Sequence, residues 1–207
     1  MKIHENVEQA SQAWFALRLG VITASEAGAL VTPLWKLRKG DGVDTYLYRK
    51  LAEKVLNYSP DQLNTFGMDQ GKLVETIAVP WFEFAHGKKV KRVGFCATDD
   101  GVAGCSPDGM LADGSGLEIK SPQAPNHIRY LMEGTVPEDY RVQVQFSLWV
   151  TKAPYWTFVS YSMVLPALVI RVEPDPQAQE AISQAVAAFS VQFAAGMKRI
   201  TEIKDSK

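Results

Sequence analysis

A short segment at residues 105–122, CSPDGMLADGSGLEIKSP, constrains the fold more than any other part of this chain. The turn residues Asp-Gly-Ser-Gly at 113–116 lie between two short apolar stretches, a pattern that predicts a β-hairpin. Successive side chains of a strand point to opposite faces of the sheet, so Glu118 and Lys120 must share one face. We expect Asp108, at the start of the hairpin, to point towards that face.

Two carboxylates at one site repel each other, and their burial without a partner is costly. A divalent cation removes both problems, and oxygen ligands favour Mg²⁺ or Mn²⁺ over zinc. In the simpler alternative, Asp108 caps a turn while Glu118 and Lys120 form a surface ion pair on an edge strand. Ser-Pro-Asp-Gly and Glu-Ile-Lys occur together here, with nine residues between Asp108 and Glu118, and this combination favours the metal site.

The composition describes an ordinary globular chain. Its 207 residues suit a single domain spanning 1–207, with 46% hydrophobic and 22% charged residues. A formal net charge of −1 gives no overall attraction to a polyanion. Basic residues bunch at 36–40, 87–92 and 198–207, where a solvated surface is the simpler interpretation. The role of the basic loop at 36–40 stays open.

The cysteines and the N-terminal sequence bear on the compartment. Cys96 and Cys105 are the only two cysteines, and they lack the spacing of metal ligands, which favours a reduced, intracellular protein. The N-terminus has no apolar signal core, and no apolar run approaches the ~18 residues of a membrane span. We therefore expect a soluble, cytoplasmic protein that does not contact a membrane.

Hydrophobic periodicity predicts a mixed α/β (α+β) fold with a central mixed β-sheet flanked by helices. A capping-box pattern at Thr23 and Glu26 predicts a short helix, Pro80 a kinked or broken one, and Pro137 the start of another. The predicted helices are 8–18, a short one after Thr23, 46–55, 73–84, one opened by Pro137, and 176–200. The predicted strands lie within 89–97, 102–106, 110–111, 117–120, 153–163 and 167–174.

The three charged residues resemble the PD-(D/E)xK nuclease signature, with Pro107 and Asp108 as its first half and Glu118 and Lys120 as its second. Further segments resemble the phage lambda exonuclease (YqaJ-type viral recombinase) family, and they follow its order from about residue 12 to 162. No signature position is substituted. The matching segments are Trp14, 18–25, 71–75, 104–109, 117–122 and 140–145.

This resemblance implies a restriction-endonuclease-like core and a single nuclease domain. It implies a Mg²⁺-dependent 5′→3′ exonuclease that acts on linear double-stranded DNA, releases 5′-mononucleotides and leaves a 3′ single strand for phage-type recombination. By the same resemblance, we expect a homotrimeric ring through which the duplex passes, with a single-strand annealing protein as a possible partner. A phage or prophage origin in a bacterial cytoplasm follows from the same resemblance.

The resemblance also implies roles for individual residues. Asp108, Glu118, the carbonyl of Ile119 and Glu75 would hold two Mg²⁺ ions, and Mn²⁺ could substitute. Without the resemblance, Glu75 is better interpreted as a solvated helix residue. Lys120 would orient or deprotonate the attacking water, and two nearby cations would make it lose its proton more easily than a free lysine.

Four further residues are predicted to bind the 5′-phosphate of a DNA end: Arg18, Ser25, Ser106 and Gln143. The planar fork of Arg18 can donate two hydrogen bonds to phosphate, and Ser25 lies at the start of a predicted helix, where free N–H groups attract anions. In the alternative, Arg18 pairs with a nearby acid and Ser25 only caps its helix.

Two other functions compete with the exonuclease. One is another PD-(D/E)xK nuclease, such as a RecB-like enzyme or a structure-specific endonuclease, and the other is a catalytically silent DNA-end binding module. The histidines match no ligand spacing and are predicted to lie on the surface; they are His4, His86 and His127. An aromatic set is predicted to belong to the core rather than to stack on bases: Trp149, Tyr155, Trp156, Phe158 and Tyr161.

Overall fold

The computed structural model describes residues 1–58 and 65–206, with the backbone alone for residues 65–75. The helices are α1 (Gln12–Arg18), α2 (Asp41–Leu56), α3 (Thr65–His86), α4 (Ala124–Glu133), α5 (Glu138–Thr151) and α6 (Pro176–Asp205), with a 3₁₀-helix at Ala24–Ala29. The strands are β1 (Lys2–His4), β2 (Ile22–Thr23), β3 (Val90–Lys91), β4 (Phe95–Ala97), β5 (Ala103–Cys105), β6 (Gly109–Leu111), β7 (Gly116–Lys120), β8 (Trp156–Ser160) and β9 (Leu168–Val172). The predicted mixed α/β class is confirmed.

The strands form two mixed sheets. The larger has the order β3-β6-β7-β8-β9, in which only β7 and β8 pair in parallel. The smaller has the order β1-β4-β5-β2, with β2 parallel to β5. The single central sheet of the prediction is thus divided in two, with helices packed against both.

The division occurs inside residues 89–97, which were predicted as one strand. Its first part is β3 in the larger sheet and its last part is β4 in the smaller one. Gly94 lies at the change of direction, where its N–H donates to the carbonyl of His4 at 3.0 Å. A Cβ on Gly94 would lie 1.9 Å from the carbonyl oxygen of Val7, so only glycine fits this crossing.

Helix α5 is the central helix of the main core. Pro137 is its N-cap, and Glu138 and Asp139 occupy its first turn, as the sequence predicted. It contacts the 3₁₀-helix, β4, β5, β8 and α6. Most of its residues are buried, so both of its faces are fixed by packing, and side chains that it directs into a cavity are held rigidly.

Several predicted elements differ from the structure. Helix α3 continues through Pro80 instead of breaking, because the residues around Pro80, including Ala78 and Phe82, pack in an apolar cluster that offsets the lost hydrogen bond. Thr23 begins a 3₁₀-helix without a side-chain cap, and its hydroxyl donates to the Glu26 carboxylate at 2.7 Å instead.

Two further helices differ from the prediction. Helix α4 was not predicted, although Pro125 lies in its first turn and Gly134 ends it; its N-cap Gln123 makes no capping hydrogen bond. Helix α6 runs to Asp205 instead of residue 200. None of the helices in the described part of the chain is long and apolar enough to cross a membrane.

The surface position predicted for His127 is wrong. Its ring is fully buried, with Nδ1 2.7 Å from Ser160 Oγ and Nε2 2.9 Å from the Pro166 carbonyl, so both nitrogens are satisfied inside the protein. His86 is exposed and His4 is half-buried. Of the aromatic set, four residues are buried as predicted and Trp149 is partly buried; the four are Tyr155, Trp156, Phe158 and Tyr161.

Gly116 gives a test of the packing beneath the hairpin. A Cβ at this position would lie 2.2 Å from Cζ3 of the buried Trp156, so Gly116→Ala should lower the free energy of unfolding by about 1–3 kcal/mol or more. Gly42→Ala in α2 is the control, because a Cβ there meets no atom within 4 Å and alanine favours the helix. Urea denaturation compares the two, and equal midpoints would contradict the packing.

Candidate active site

The β6–β7 hairpin holds Asp108 beside β7. In this antiparallel pair Gly109 lies opposite Leu117, and the N–H of Asp108 donates to the Leu117 carbonyl at 3.0 Å. The N–H of Ile119 donates to Asp108 Oδ2. These two bonds fix the carboxylate at the end of the hairpin, as the sequence predicted.

Glu118 and Lys120 lie on the same face of β7, which confirms the prediction from strand alternation. Lys120 Nζ is 2.7 Å from Glu118 Oε1, and Gln143 of α5 donates to the same oxygen at 2.6 Å. Glu118 and Asp108 are both buried. A pair on a solvated edge strand is excluded, because β7 lies between β6 and β8 in the sheet.

The charges around Lys120 act on its protonation. Burial lowers the pKa of this lysine, but the carboxylates of Glu118 and Asp108 outweigh that effect, and its pKa is raised well above the usual value. With these carboxylates alone, Lys120 is therefore firmly protonated. The easier proton loss expected from the sequence refers to a site in which cations offset the two carboxylates.

The oxygen atoms of this site suit a hard divalent cation. The backbone groups of Leu117 and Ile119 point to the same edge of β7. The Leu117 carbonyl accepts the N–H of Asp108, and the Ile119 N–H donates to the Asp108 carboxylate. The Ile119 carbonyl therefore lies on the edge that faces Asp108. Two carboxylates and one carbonyl are the donors that Mg²⁺ prefers. Among the described residues, no group of three or more His, Cys, Asp or Glu side chains is placed to hold a metal ion.

Glu75, the remaining predicted ligand, lies in α3 within the stretch whose side chains are not described. The later part of that helix packs on the active-site strand, since Ala78 and Phe82 share an apolar cluster with Leu117 and Ile119. The role of Glu75 stays a prediction.

One cavity of about 170 Å³ brings the other predicted side chains together. Its walls come from α1, the 3₁₀-helix, the β5–β6 connection, β7 and α5. It is lined by all seven described candidate side chains: Arg18, Ser25, Ser106, Asp108, Glu118, Lys120 and Gln143.

Arg18 lies at one side of this cavity without an acidic partner. Its guanidinium stacks over the ring of Trp14 at 4.1 Å, and within the described residues it forms no ion pair. Burial lowers its pKa. Ser25 is exposed, and the helix cap is Thr23, so the capping role considered for Ser25 is not observed.

The sequence missed three polar residues of the same cavity. Trp14 was noted only as a match to the family, without a functional role, yet its Nε1 donates to Ser106 Oγ at 2.8 Å and so orients a predicted phosphate contact. Gln9 donates to the Pro107 carbonyl at 2.9 Å. Ser147 lies one turn after Gln143 on α5, and this helical repeat was the available signal.

The sequence matches the YqaJ-like viral recombinase domain over residues 13–154. The chain belongs to this family. The matched range contains every candidate residue from Arg18 to Gln143. No curated protein sequence is significantly similar to the chain.

Solved structures share the YqaJ-like fold. An alkaline exonuclease (LHK-Exo) from Laribacter hongkongensis has a TM-score of 0.82 and 25% identity, over 95% of this chain and 99% of that one. The same enzyme in complex with dAMP matches equally well. A phage-related exonuclease from Haemophilus somnus 129PT has a TM-score of 0.65 over 88% of this chain and 96% of that one, and at 13% identity it supports the fold alone.

Proposed function

We propose that this protein is a Mg²⁺-dependent 5′→3′ exonuclease that digests linear double-stranded DNA, releases 5′-mononucleotides and leaves a 3′ single strand for phage-type annealing. The observation that carries the proposal is the single cavity shared by the acidic pair, Lys120 and the four residues suited to a terminal phosphate. The likeness to an alkaline exonuclease supports it, and that enzyme has also been solved with a nucleoside monophosphate, dAMP.

The buried carboxylates supply the metal-binding part of the mechanism. Asp108 and Glu118, with the Ile119 carbonyl and Glu75, would hold two Mg²⁺ ions. Two such metal ions would supply an activated water and would stabilise the leaving oxygen of the phosphodiester. Gln143 fixes the orientation of Glu118 through its hydrogen bond to Oε1. Two hydrogen bonds hold Asp108 in place: its N–H donates to the Leu117 carbonyl, and its carboxylate accepts the N–H of Ile119.

Lys120 acts on the water and its proton. Its Nζ lies 2.7 Å from Glu118 Oε1, so an ammonium at this position can donate to a water held by the same carboxylate. Tyr140 lies beneath it, with the ring centroid 5.3 Å from Nζ, and restricts the lysine to this side of the cavity. Lys120 thereby orients the nucleophile and can receive or pass on a proton once cations lower its pKa.

Other residues of the cavity select the DNA end. A terminal phosphate carries more negative charge than an internal diester, and a bidentate arginine contact suits it. Arg18, Ser25 and Ser106 supply a guanidinium and two hydroxyls within the same cavity as the carboxylates. Anchoring the 5′-phosphate there would set the first phosphodiester bond beside Asp108, so that one nucleotide is removed at each cycle.

The assembly and partners belong to the same proposal. A net charge of −1 provides little general attraction to DNA, whose binding by most proteins depends on many phosphate contacts. A homotrimeric ring around the duplex would keep the enzyme on its substrate by topology. The 3′ strand would pass to a single-strand annealing protein in the cytoplasm of a bacterial host.

The choice of cation gives a direct prediction. Mg²⁺ and Mn²⁺ should support turnover, whereas Ca²⁺ should bind without supporting it, because its larger radius and looser coordination misplace the water. Release of acid-soluble nucleotides from linear duplex, with each cation as the sole divalent ion, measures this. Rapid turnover with Ca²⁺ alone would contradict the proposed geometry.

Linear and covalently closed circular duplexes, incubated side by side with Mg²⁺, separate the candidate functions. The proposed exonuclease consumes the linear DNA and leaves the circle intact. A structure-specific or RecB-like endonuclease would nick the circle, and a silent DNA-end binding module would leave both forms whole. Nicking of the circle, or survival of the linear form, would overturn the proposal.

A further inference from the structure

A buried lysine with two acidic partners lies beside the candidate cavity. Lys50 and Glu53 of α2 are each only 3% exposed in their side chains, and Lys50 Nζ is 3.0 Å from Glu53 Oε2. The same ammonium is 2.8 Å from Glu26 Oε2. Burial of charged groups carries a large desolvation penalty, and the proposed mechanism uses none of these three residues.

The three residues connect α2 to the segment that carries two of the proposed phosphate contacts. Glu53 Oε2 accepts the N–H of Gly20 at 3.1 Å, and Glu26 Oε2 accepts the hydroxyl of Thr23 at 2.7 Å. Gly20 and Thr23 lie within residues 18–25, between the two proposed contacts. The network therefore fixes the path of this segment.

The ion pairs of this network do not include Arg18. Arg49 pairs with Glu26 at 2.8 Å, and Lys50 pairs with both Glu26 and Glu53. The charges of these two acids raise the pKa of Arg18 against the larger effect of burial. Among the described residues, however, Arg18 forms no ion pair with either acid. Its guanidinium lines the cavity instead.

We propose that Lys50 is a positioning residue for the DNA-end site: by neutralising Glu26 and Glu53 it keeps the Arg18 guanidinium available for a terminal phosphate. This inference rests on the proposed 5′-phosphate specificity. Without Lys50, Glu26 keeps its pair with Arg49 but Glu53 loses the cation that it pairs with. Arg18 is a cation on which the charges of both acids already act. Arg18 then pairs with Glu53, and the terminal phosphate loses its anchor.

A double-mutant cycle tests the charge balance. The variants are Lys50→Met, Glu53→Gln and the double variant, each assayed on duplexes that end in 5′-phosphate or 5′-hydroxyl. Glutamine at position 53 still accepts the Gly20 N–H, so only the charge changes. Thermal unfolding, measured in parallel, reports whether each variant is folded.

We expect Lys50→Met to lower the preference for 5′-phosphate by at least about tenfold, equivalent to ~1.4 kcal/mol, through a higher KM on phosphorylated ends. The rate on 5′-hydroxyl ends should be retained. Glu53→Gln should keep the preference, and the double variant should regain it, because removing the surplus acid frees Arg18 again. A purely structural role predicts that the double variant is no better than Lys50→Met.

The outcomes separate the two proposals. A wild-type enzyme that digests both ends equally would overturn the phosphate site and this inference with it. A wild-type preference that Lys50→Met retains, or that the double variant fails to regain, would overturn the inference alone. If Lys50→Met does not fold, the double variant decides: with the wild-type preference it supports the charge balance, and without it the idea fails.

Discussion

Replacing Asp108 by alanine is expected to leave the chain folded and to lower the rate of DNA hydrolysis by about a thousandfold or more, equivalent to ~4 kcal/mol of barrier. The reason is the geometry of the acidic pair. Asp108 and Glu118 are both buried and line one cavity, and loss of either removes one of the carboxylates available to a divalent cation. Glu118→Ala and Lys120→Ala should have comparable effects.

Matched variants separate lost charge from lost structure. Asp108→Asn keeps an oxygen that can accept from the Ile119 N–H but loses the negative charge, so it should be as inactive as Asp108→Ala while unfolding nearer to wild type. Asp113→Asn is the control, because that carboxylate belongs to the same hairpin but bonds Ser115 and Tyr155, and it does not line the cavity.

Rates of nucleotide release at saturating Mg²⁺ provide the measurement, with circular dichroism as the check on folding. Asp113→Asn should digest DNA at the wild-type rate. Full activity in an alanine variant of Asp108, Glu118 or Lys120 would remove that residue from the mechanism.

Arg18→Ala should lose most of the preference for a 5′-phosphate end. A hydrogen-bonded contact to a charged group contributes roughly 1.5–3 kcal/mol, so the ratio of kcat/KM on phosphate and hydroxyl ends should fall on the order of 10- to 100-fold. Arg18→Lys keeps the charge but not the planar fork, and we expect it to recover only part of the ratio.

The control for Arg18 is Arg129→Ala. Arg129 is exposed on α4, pairs with Glu133 at 3.7 Å and is not part of the cavity, so its removal should leave the ratio unchanged. Equal rates on the two ends with the wild-type enzyme would eliminate the phosphate pocket. An unchanged ratio in Arg18→Ala would eliminate this arginine from it.

Local chemistry made the centre of the candidate site predictable. The period of two in a strand places Glu118 and Lys120 on one face whatever the rest of the fold, and the turn at 113–116 sets Asp108 at the end of the hairpin. The proposed phosphate contacts came from the family resemblance, since no local pattern relates Arg18 to residues some 90 positions later.

The features that sequence could not supply depend on contacts between distant parts of the chain. The separation of β3 from β4 follows from the contacts of Gly94 with the N-terminal segment. The burial of His127 depends on hydrogen-bond partners that lie 33 and 39 residues away. On sequence alone Lys50 is typical of a solvated helix residue, and its burial follows from its pairs with Glu53 and Glu26.

The polarity of digestion tests the central claim most directly. A linear duplex carries a 5′-phosphate on one strand only, and each strand is labelled separately at its 3′ end. With Mg²⁺, the phosphorylated strand should shorten from its 5′ end and release 5′-mononucleotides, while the other strand stays full length. Asp108→Asn should leave both strands intact. Shortening of the unphosphorylated strand first, or release of either 3′ label at the start of digestion, would contradict the account.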